Sequence, residues 1–215
     1  MAYRNLFIQN PACISVKNQQ LILKNEDTFS IPIEDINCIL FENQHSMISC
    51  YTLAKLAQNG AAVLFCDEKH LPCSVLLPIH QHCRHLKMLN AQLNLSKPKI
   101  KNLWQQIVIA KIQNQARCLK FCHIEESSKL ELLAKKVASG DPANVEAVAA
   151  ARYFKALFGT HFSRGSETIV NSALNYGYAI IRGVVARKLA VYGFEPSIGI
   201  HHHNELNPFN LADDL

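Results

Sequence analysis

Three successive imidazoles, His201, His202 and His203, stand close in sequence to two adjacent carboxylates, Asp213 and Asp214. Imidazole and carboxylate together suit a hard or borderline divalent cation such as Mg²⁺ or Mn²⁺. Metal sites with that donor set usually act on phosphates. The run Pro196-Ser-Ile-Gly199 interrupts the helical pattern before it, which puts the three histidines on a loop. Asn207-Pro208 reads as an N-cap followed by a first helical residue, and that start carries Asp213 and Asp214 onto the second turn of a new helix. A lone histidine is more often structural. Three in a row beside two aspartates favour a site.

Glu146 is a further candidate. Asp141 followed by Pro142 reads as the N-cap and first residue of a helix. Glu146 then falls in the second turn, with Ala149, Ala150 and Tyr153 along the same flank. Alanines there leave room for a metal or a backbone to come close to the carboxylate. An isolated Glu in that place is more often a surface residue favoured by the positive end of the helix dipole, and spacing alone leaves both readings open. The next helix carries a polar stripe, Asn171, Asn175, Tyr178 and Arg182, at steps of 4, 3 and 4 on an otherwise apolar sequence. Buried, those side chains need partners. They form either a polar seam between helices or the wall of a site for something polar, such as a phosphodiester. Gly177 and Gly183 in the same helix permit close backbone approach.

These candidates need a scaffold, and the period of the apolar residues supplies it. Up to residue 77, short β-branched and apolar runs alternate with turn residues. Strands are predicted near 6–8, 13–16, 21–23, 29–33, 36–41, 61–66 and 74–77, with a hairpin tip at 17–20. One helix over 51–59 is stopped by Gly60. From His80 the period turns helical, over roughly 80–94, 99–122, 126–138, 142–158, 166–192 and from 208 onward. The expected class is α+β: a small β-sandwich-like N-terminal domain, residues 1–77, followed by an all-α catalytic domain, residues 78–215.

A chain of 215 residues at 49% hydrophobic can bury a substantial core. No apolar run approaches the ~20 residues of a membrane span, and the start Met-Ala-Tyr-Arg-Asn lacks a signal-peptide core. A soluble, cytoplasmic protein is expected. Its eight cysteines include no Cys-x-x-Cys pair and read as small buried apolar residues rather than disulfides. His80-x-His82-Cys83-x-His85 and Cys118-x₃-Cys122-His123 are dense enough to weigh for zinc, but neither has a second pair at finger-like spacing. Charge is uneven: residues 1–79 hold 5 Lys/Arg against 7 Asp/Glu, and residues 80–215 hold 17 against 10. That balance fits a polyanion handled by the helical part, and equally a solvated helical surface. Arg84, in the stretch His80 to Lys87, could meet a DNA phosphate, and a solvated helix start accounts for it as well.

Taken in order, several motifs resemble one family. They are Val145-Glu146, Ala149-Ala150, Arg152-Tyr153-Phe154, Phe162-Ser-Arg164, Val170-Asn171 and Leu174-Asn-Tyr-Gly-Tyr178, then Pro196-x-Ile-Gly-Ile-His-His202 and Asn207-x-Phe-Asn-Leu-Ala-x-Asp-Leu215. Together they are similar to the CRISPR-associated spacer-acquisition integrase, first of the CRISPR-associated proteins, in its type II variants. The resemblance implies a metal-dependent DNA endonuclease and integrase that inserts spacer DNA into the CRISPR array by attack of a DNA 3′-hydroxyl on a phosphodiester. It implies Glu146, His202 and Asp214 as catalytic and metal-binding residues for Mg²⁺ or Mn²⁺, with His201 and His203 as neighbours. It implies Arg152, Arg164, Asn175 and Tyr176 along the DNA path, Tyr176 stacking on a base. The implied partners are double-stranded DNA (spacer precursor and CRISPR repeat), a second copy paired through the β-domain, and a smaller CRISPR-associated protein.

Two departures accompany the likeness. Position 147 is Ala where the family often has Gly, and Leu215 stands before the acidic residue that the family carries three positions after Asp214. That residue is normally a principal ligand, so a truncated chain with impaired metal affinity is expected. Two other readings remain beside the integrase. One is a non-catalytic nucleic-acid-binding scaffold built on the same basic helices. The other, a small-molecule metallohydrolase, fits the His and Asp residues but leaves the basic half unexplained.

Overall fold

The computed structural model describes residues 2–76 and 84–215. In chain order come β1 (Arg4–Ile8), β2 (Cys13–Lys17), β3 (Gln20–Lys24), β4 (Thr28–Pro32), a 3-10 turn (Ile33–Asp35), β5 (Ile36–Phe41), β6 (Met47–Ile48), α1 (Cys50–Gln58), β7 (Ala62–Cys66) and β8 (Pro72–Leu76). Then follow α2 (His85–Leu93), α3 (Lys97–Phe121), α4 (Ser127–Ala134), α5 (Val145–Phe158), α6 (Ile169–Val191) and α7 (Asn210–Asp214). The chain is therefore α+β, with two mixed sheets in its N-terminal part and mostly helices after them. β6, two residues long, carries too little pattern to be read from sequence.

The contacts divide the chain into two compact units: residues 1–89 with 173–196, and residues 90–172 with 197–215. The boundary expected at 77/78 follows the change of period, whereas the compact units depend on what each sheet face has to cover. In the first unit, β1, β5 and β7 run parallel and β8 closes the edge antiparallel, in the order β1-β5-β7-β8. Strands buried on both faces read as continuous apolar runs, and Ile36-Asn-Cys-Ile-Leu-Phe41 is such a run. Ile36, Ile39, Phe41 and Val63 join a core with Ile14, Leu21, Ile33 and Leu56. Cys38, Leu40, Ala62, Leu64 and Cys66, on the opposite face, need a second cover. Tyr176, Ile180 and Val184 of α6 provide it. Each fully buried Leu or Ile contributes about 1.5–3 kcal/mol over its exposed state.

The second sheet, β4-β3-β2-β6, is an antiparallel meander with β6 added parallel to β2. Its β2–β3 turn has Asn18 and Gln19 at φ 49° and 58°, the left-handed pair that a two-residue hairpin needs. The tip read at 17–20 is therefore where the turn falls. In α1, the Ser49 hydroxyl caps the first turn by accepting from the Thr52 N–H. Arg187 of α6 lies fully buried and donates through Nη2 to the Ala57 carbonyl, 2.7 Å away at the end of α1.

The second unit is helical. α3 buries Trp104, Val108, Ile112, Ala116 and Leu119, steps of four and three that make one stripe. That stripe packs with Leu130 and Ala134 of α4, Val145 and Ala149 of α5, and Val137 between them. Among the described residues no helix is long and apolar enough to cross a membrane.

Candidate active site

Glu146 is the second residue of α5, which starts at Val145, three residues later than the sequence suggested. Asp141 and Asn144 take left-handed backbone, φ 47° and 51°, so the chain turns twice before the helix begins. Asp141 still caps it from a distance. Its buried carboxylate accepts the Val145 N–H at 2.9 Å and the Glu146 N–H at 3.0 Å. Two of the donors every helix N-terminus leaves unpaired are thereby satisfied, and the backbone of Glu146 is fixed. Its side chain is partly exposed and meets Lys111 of α3, whose Nζ lies 3.1 Å from Oε1.

His202 lies on the loop between α6 and α7. Gly199 starts the turn, and a Cβ there would overlap the His202 carbonyl and sit 2.9 Å from Asp214 Oδ2. Only a glycine lets the loop fold so closely over the aspartate. Asn210, buried at the start of α7, buckles the loop by donating to the carbonyls of Ser197 and Asn204. Asp214 is fully buried and accepts from the backbone N–H groups of Ile200, His201 and His202. Its Oδ1 also lies 2.7 Å from His202 Nδ1. A carboxylate at one ring nitrogen orients the imidazole and leaves Nε2 on its far side.

Trp104 joins these pieces. The His201 ring stacks on it at 4.2 Å and 5°, and the His202 ring stands edge-on at 6.4 Å and 87°. Lys111, one helical stripe along at i+7, holds its Nζ 5.3 Å from the indole centroid and donates to the Asp213 carbonyl at 3.5 Å. Glu146 thus meets Lys111 and the histidine loop meets Trp104, two residues of α3 that touch each other. Sequence reading passed over both Trp104 and Lys111. The available signal was the chain's single Trp and a cation at i+7 on an apolar stripe.

Chemically, two groups here suit Mg²⁺ or Mn²⁺: the Glu146 carboxylate, which already faces a positive charge, and Nε2 of His202. The third expected ligand, Asp214, is turned toward its own loop. Its carboxylate has no exposure, makes four bonds to that loop and holds the imidazole. Accordingly, no group of three or more His, Cys, Asp or Glu among the described residues is placed to hold a metal. Asp213 is tied by Asn207, whose Nδ2 donates to its Oδ2 at 2.8 Å. The zinc reading at 80–85 falls partly on residues outside those described. In the other cluster, Cys118 Sγ accepts from the Tyr153 hydroxyl at 3.3 Å.

The residues expected along DNA differ in setting. Arg152, Asn175 and Arg84 are exposed. Arg164 is half-buried, with Nη1 2.9 Å from Asn171 Oδ1 and its guanidinium over the Phe154 ring. Tyr176 is half-buried against the first sheet, and burial, then Glu42 and Cys66, push its phenol up. The polar stripe on α6 divides. Asn171 is buried and donates to the carbonyls of Ser163 and Ser166, a seam that shapes the loop before α6. Tyr178 and Arg182 remain exposed.

A helix-borne carboxylate and a loop imidazole held by a buried aspartate are thus linked through Lys111 and Trp104 of α3. The family described as "CRISPR associated protein Cas1" matches residues 6–215, and the chain belongs to that family. It is 48% identical over 217 residues to the CRISPR-associated endonuclease Cas1 of Neisseria meningitidis serogroup C (strain 8013), covering 100% of this chain and 71% of that one. A second relative, from Francisella tularensis subsp. novicida (strain U112), is 25% identical and covers 94% and 70%. Among solved structures, a Cas1 protein from Thermotoga maritima superposes with TM-score 0.73 at 18% identity, covering 98% and 72%. A casposase bound to integration product does so with TM-score 0.74 at 17%, covering 99% and 68%. A partial Cas6-RT-Cas1–Cas2 complex gives TM-score 0.62 at 22%, covering 100% and 71%. At those identities the structural likeness concerns the fold.

Proposed function

We propose that this chain is a DNA endonuclease and integrase of CRISPR adaptation, joining spacer DNA to the array by attack of a DNA 3′-hydroxyl on a phosphodiester. One observation carries the proposal: the His202 ring is held by Asp214 at 2.7 Å and abuts Trp104 of α3, the helix whose Lys111 meets Glu146. The endonuclease names of the curated relatives support it. Glu146 and His202 would hold Mg²⁺ or Mn²⁺, an ion that commonly binds few protein ligands and completes its shell with water and substrate phosphates. Bound there, the ion would neutralise charge developing on the phosphate.

The protein's own part is positioning. Asp214 fixes the tautomer and direction of the imidazole, as carboxylates behind metal-binding histidines generally do. Asp141 fixes the backbone that carries Glu146. The exposed cations Arg152 and Arg84, with Asn175, would take phosphate contacts, whose strength falls with salt. Two of the fold neighbours are Cas6-RT-Cas1–Cas2 complexes, and a smaller partner of that kind together with pairing of two copies belongs to the same proposal.

The test is strand transfer and nicking on a repeat-containing duplex with Glu146→Ala and His202→Ala. Both are expected to lose activity by about 100-fold or more, the scale of a positioned catalytic group, with DNA affinity within a few-fold of the unaltered chain. Normal integration by both variants would overturn the assignment and leave a DNA-binding scaffold.

A further inference from the structure

Lys111 lies in a three-sided niche. Its ammonium is 3.1 Å from Glu146 Oε1, 3.5 Å from the Asp213 carbonyl and 5.3 Å from the face of Trp104. A carboxylate, a carbonyl and an aromatic face are the three kinds of group that attract a cation. The position is also unusual for its helix. Lys111 sits next to Ile112 on the side where α3 buries Trp104, Val108 and Ile112, and only 23% of its side chain is exposed. A lysine placed so trades a solvated head for one carboxylate, and that carboxylate is the one the proposed function assigns to the metal.

We infer that Lys111 is the resident counter-cation of the site: its ammonium holds Glu146 in the metal-free protein and competes with the divalent ion for it. This rests on the assignment of Glu146 to metal binding. A divalent ion on either oxygen of Glu146 is repelled by an ammonium 3.1 Å from one of them, so loading requires Lys111 to swing away. Its four-carbon stem allows that motion. The pair therefore keeps Glu146 ordered and neutralised without metal, at the expense of metal affinity.

Titrating Mn²⁺ into the full chain without DNA, by calorimetry or by the loss of free Mn²⁺ resonance, tests this. Lys111→Met removes the charge and keeps the stem; it is expected to tighten Mn²⁺ binding about fivefold, the scale of a partly exposed ion pair. Lys111→Gln is expected to change affinity in the same direction and serves if the methionine variant folds poorly. Lys111→Arg, which keeps the charge, is expected to bind no more tightly than the unaltered chain. Unchanged or weaker binding in both neutral variants overturns the inference, and so does an absence of Mn²⁺ binding in all of them. Glu146→Gln separates the two readings. If it abolishes Mn²⁺ binding while Lys111→Met changes nothing, only the role of Lys111 falls. If Glu146→Gln binds Mn²⁺ normally, the metal assignment falls with it.

Discussion

Asp214 shows how burial, which sequence does not state, bears on what a carboxylate does. Its type and spacing from His202 were legible. Its enclosure by three N–H groups and an imidazole was not, since that follows from the close turn at Gly199 and the clamp of Asn210. An aspartate used this way should behave as a support. Asp214→Asn turns an acceptor oxygen into an NH₂ that faces N–H donors, which costs about 1–3 kcal/mol of stability. Affinity for Mn²⁺ is expected to fall about 10- to 100-fold, as when partners behind metal ligands are removed. Calorimetric titration and thermal denaturation of the same sample check both. A variant with full metal affinity would show that His202 is oriented without it.

At the scale of elements, the helices were legible because their apolar period is strong, and their starts less so because turn chemistry intervened. Pro142 suggested a helix start that the left-handed residues Asp141 and Asn144 move to Val145. The two glycines of α6 illustrate the same limit. Both permit close approach by sequence, and Gly183 makes one: a Cβ there would lie 2.6 Å from Leu64 Cδ2, whereas a Cβ on Gly177 would meet nothing within 4 Å among the described residues. Gly177→Ala should therefore stabilise the protein by up to about 1 kcal/mol through helix propensity. Gly183→Ala should destabilise it by about 1–3 kcal/mol through overpacking against β7. Urea unfolding of the two variants gives opposite shifts in midpoint if this is right. Shifts of the same sign would contradict the packing of α6 on the sheet.

Over the whole molecule, the α+β class and the charge asymmetry could be read directly, while the division into units could not. Periodicity marks where strands give way to helices. It does not say that residues 173–196 must return to cover Cys38, Leu40 and Leu64. That cover has a consequence for pH. Burial pushes the thiols of Cys38 and Cys66 up to about 11 from 9.0. Unfolded, they lose protons first, so the stability tied to their neutral form is complete below pH 9.0 and is lost as pH rises to about 11. Denaturation midpoints are expected to drop across that window, and less steeply in Cys38→Ala. An equal slope in that variant would place the loss elsewhere.

Trp104 has a bearing of another kind. It is the only indole in 215 residues, 3% exposed and stacked on His201. The indole fluorescence of the chain, excited beyond the six tyrosines, therefore has one address. Any change in its emission when an ion or an oligonucleotide is added is a signal from the wall that Lys111 and the histidine loop share, read without a label.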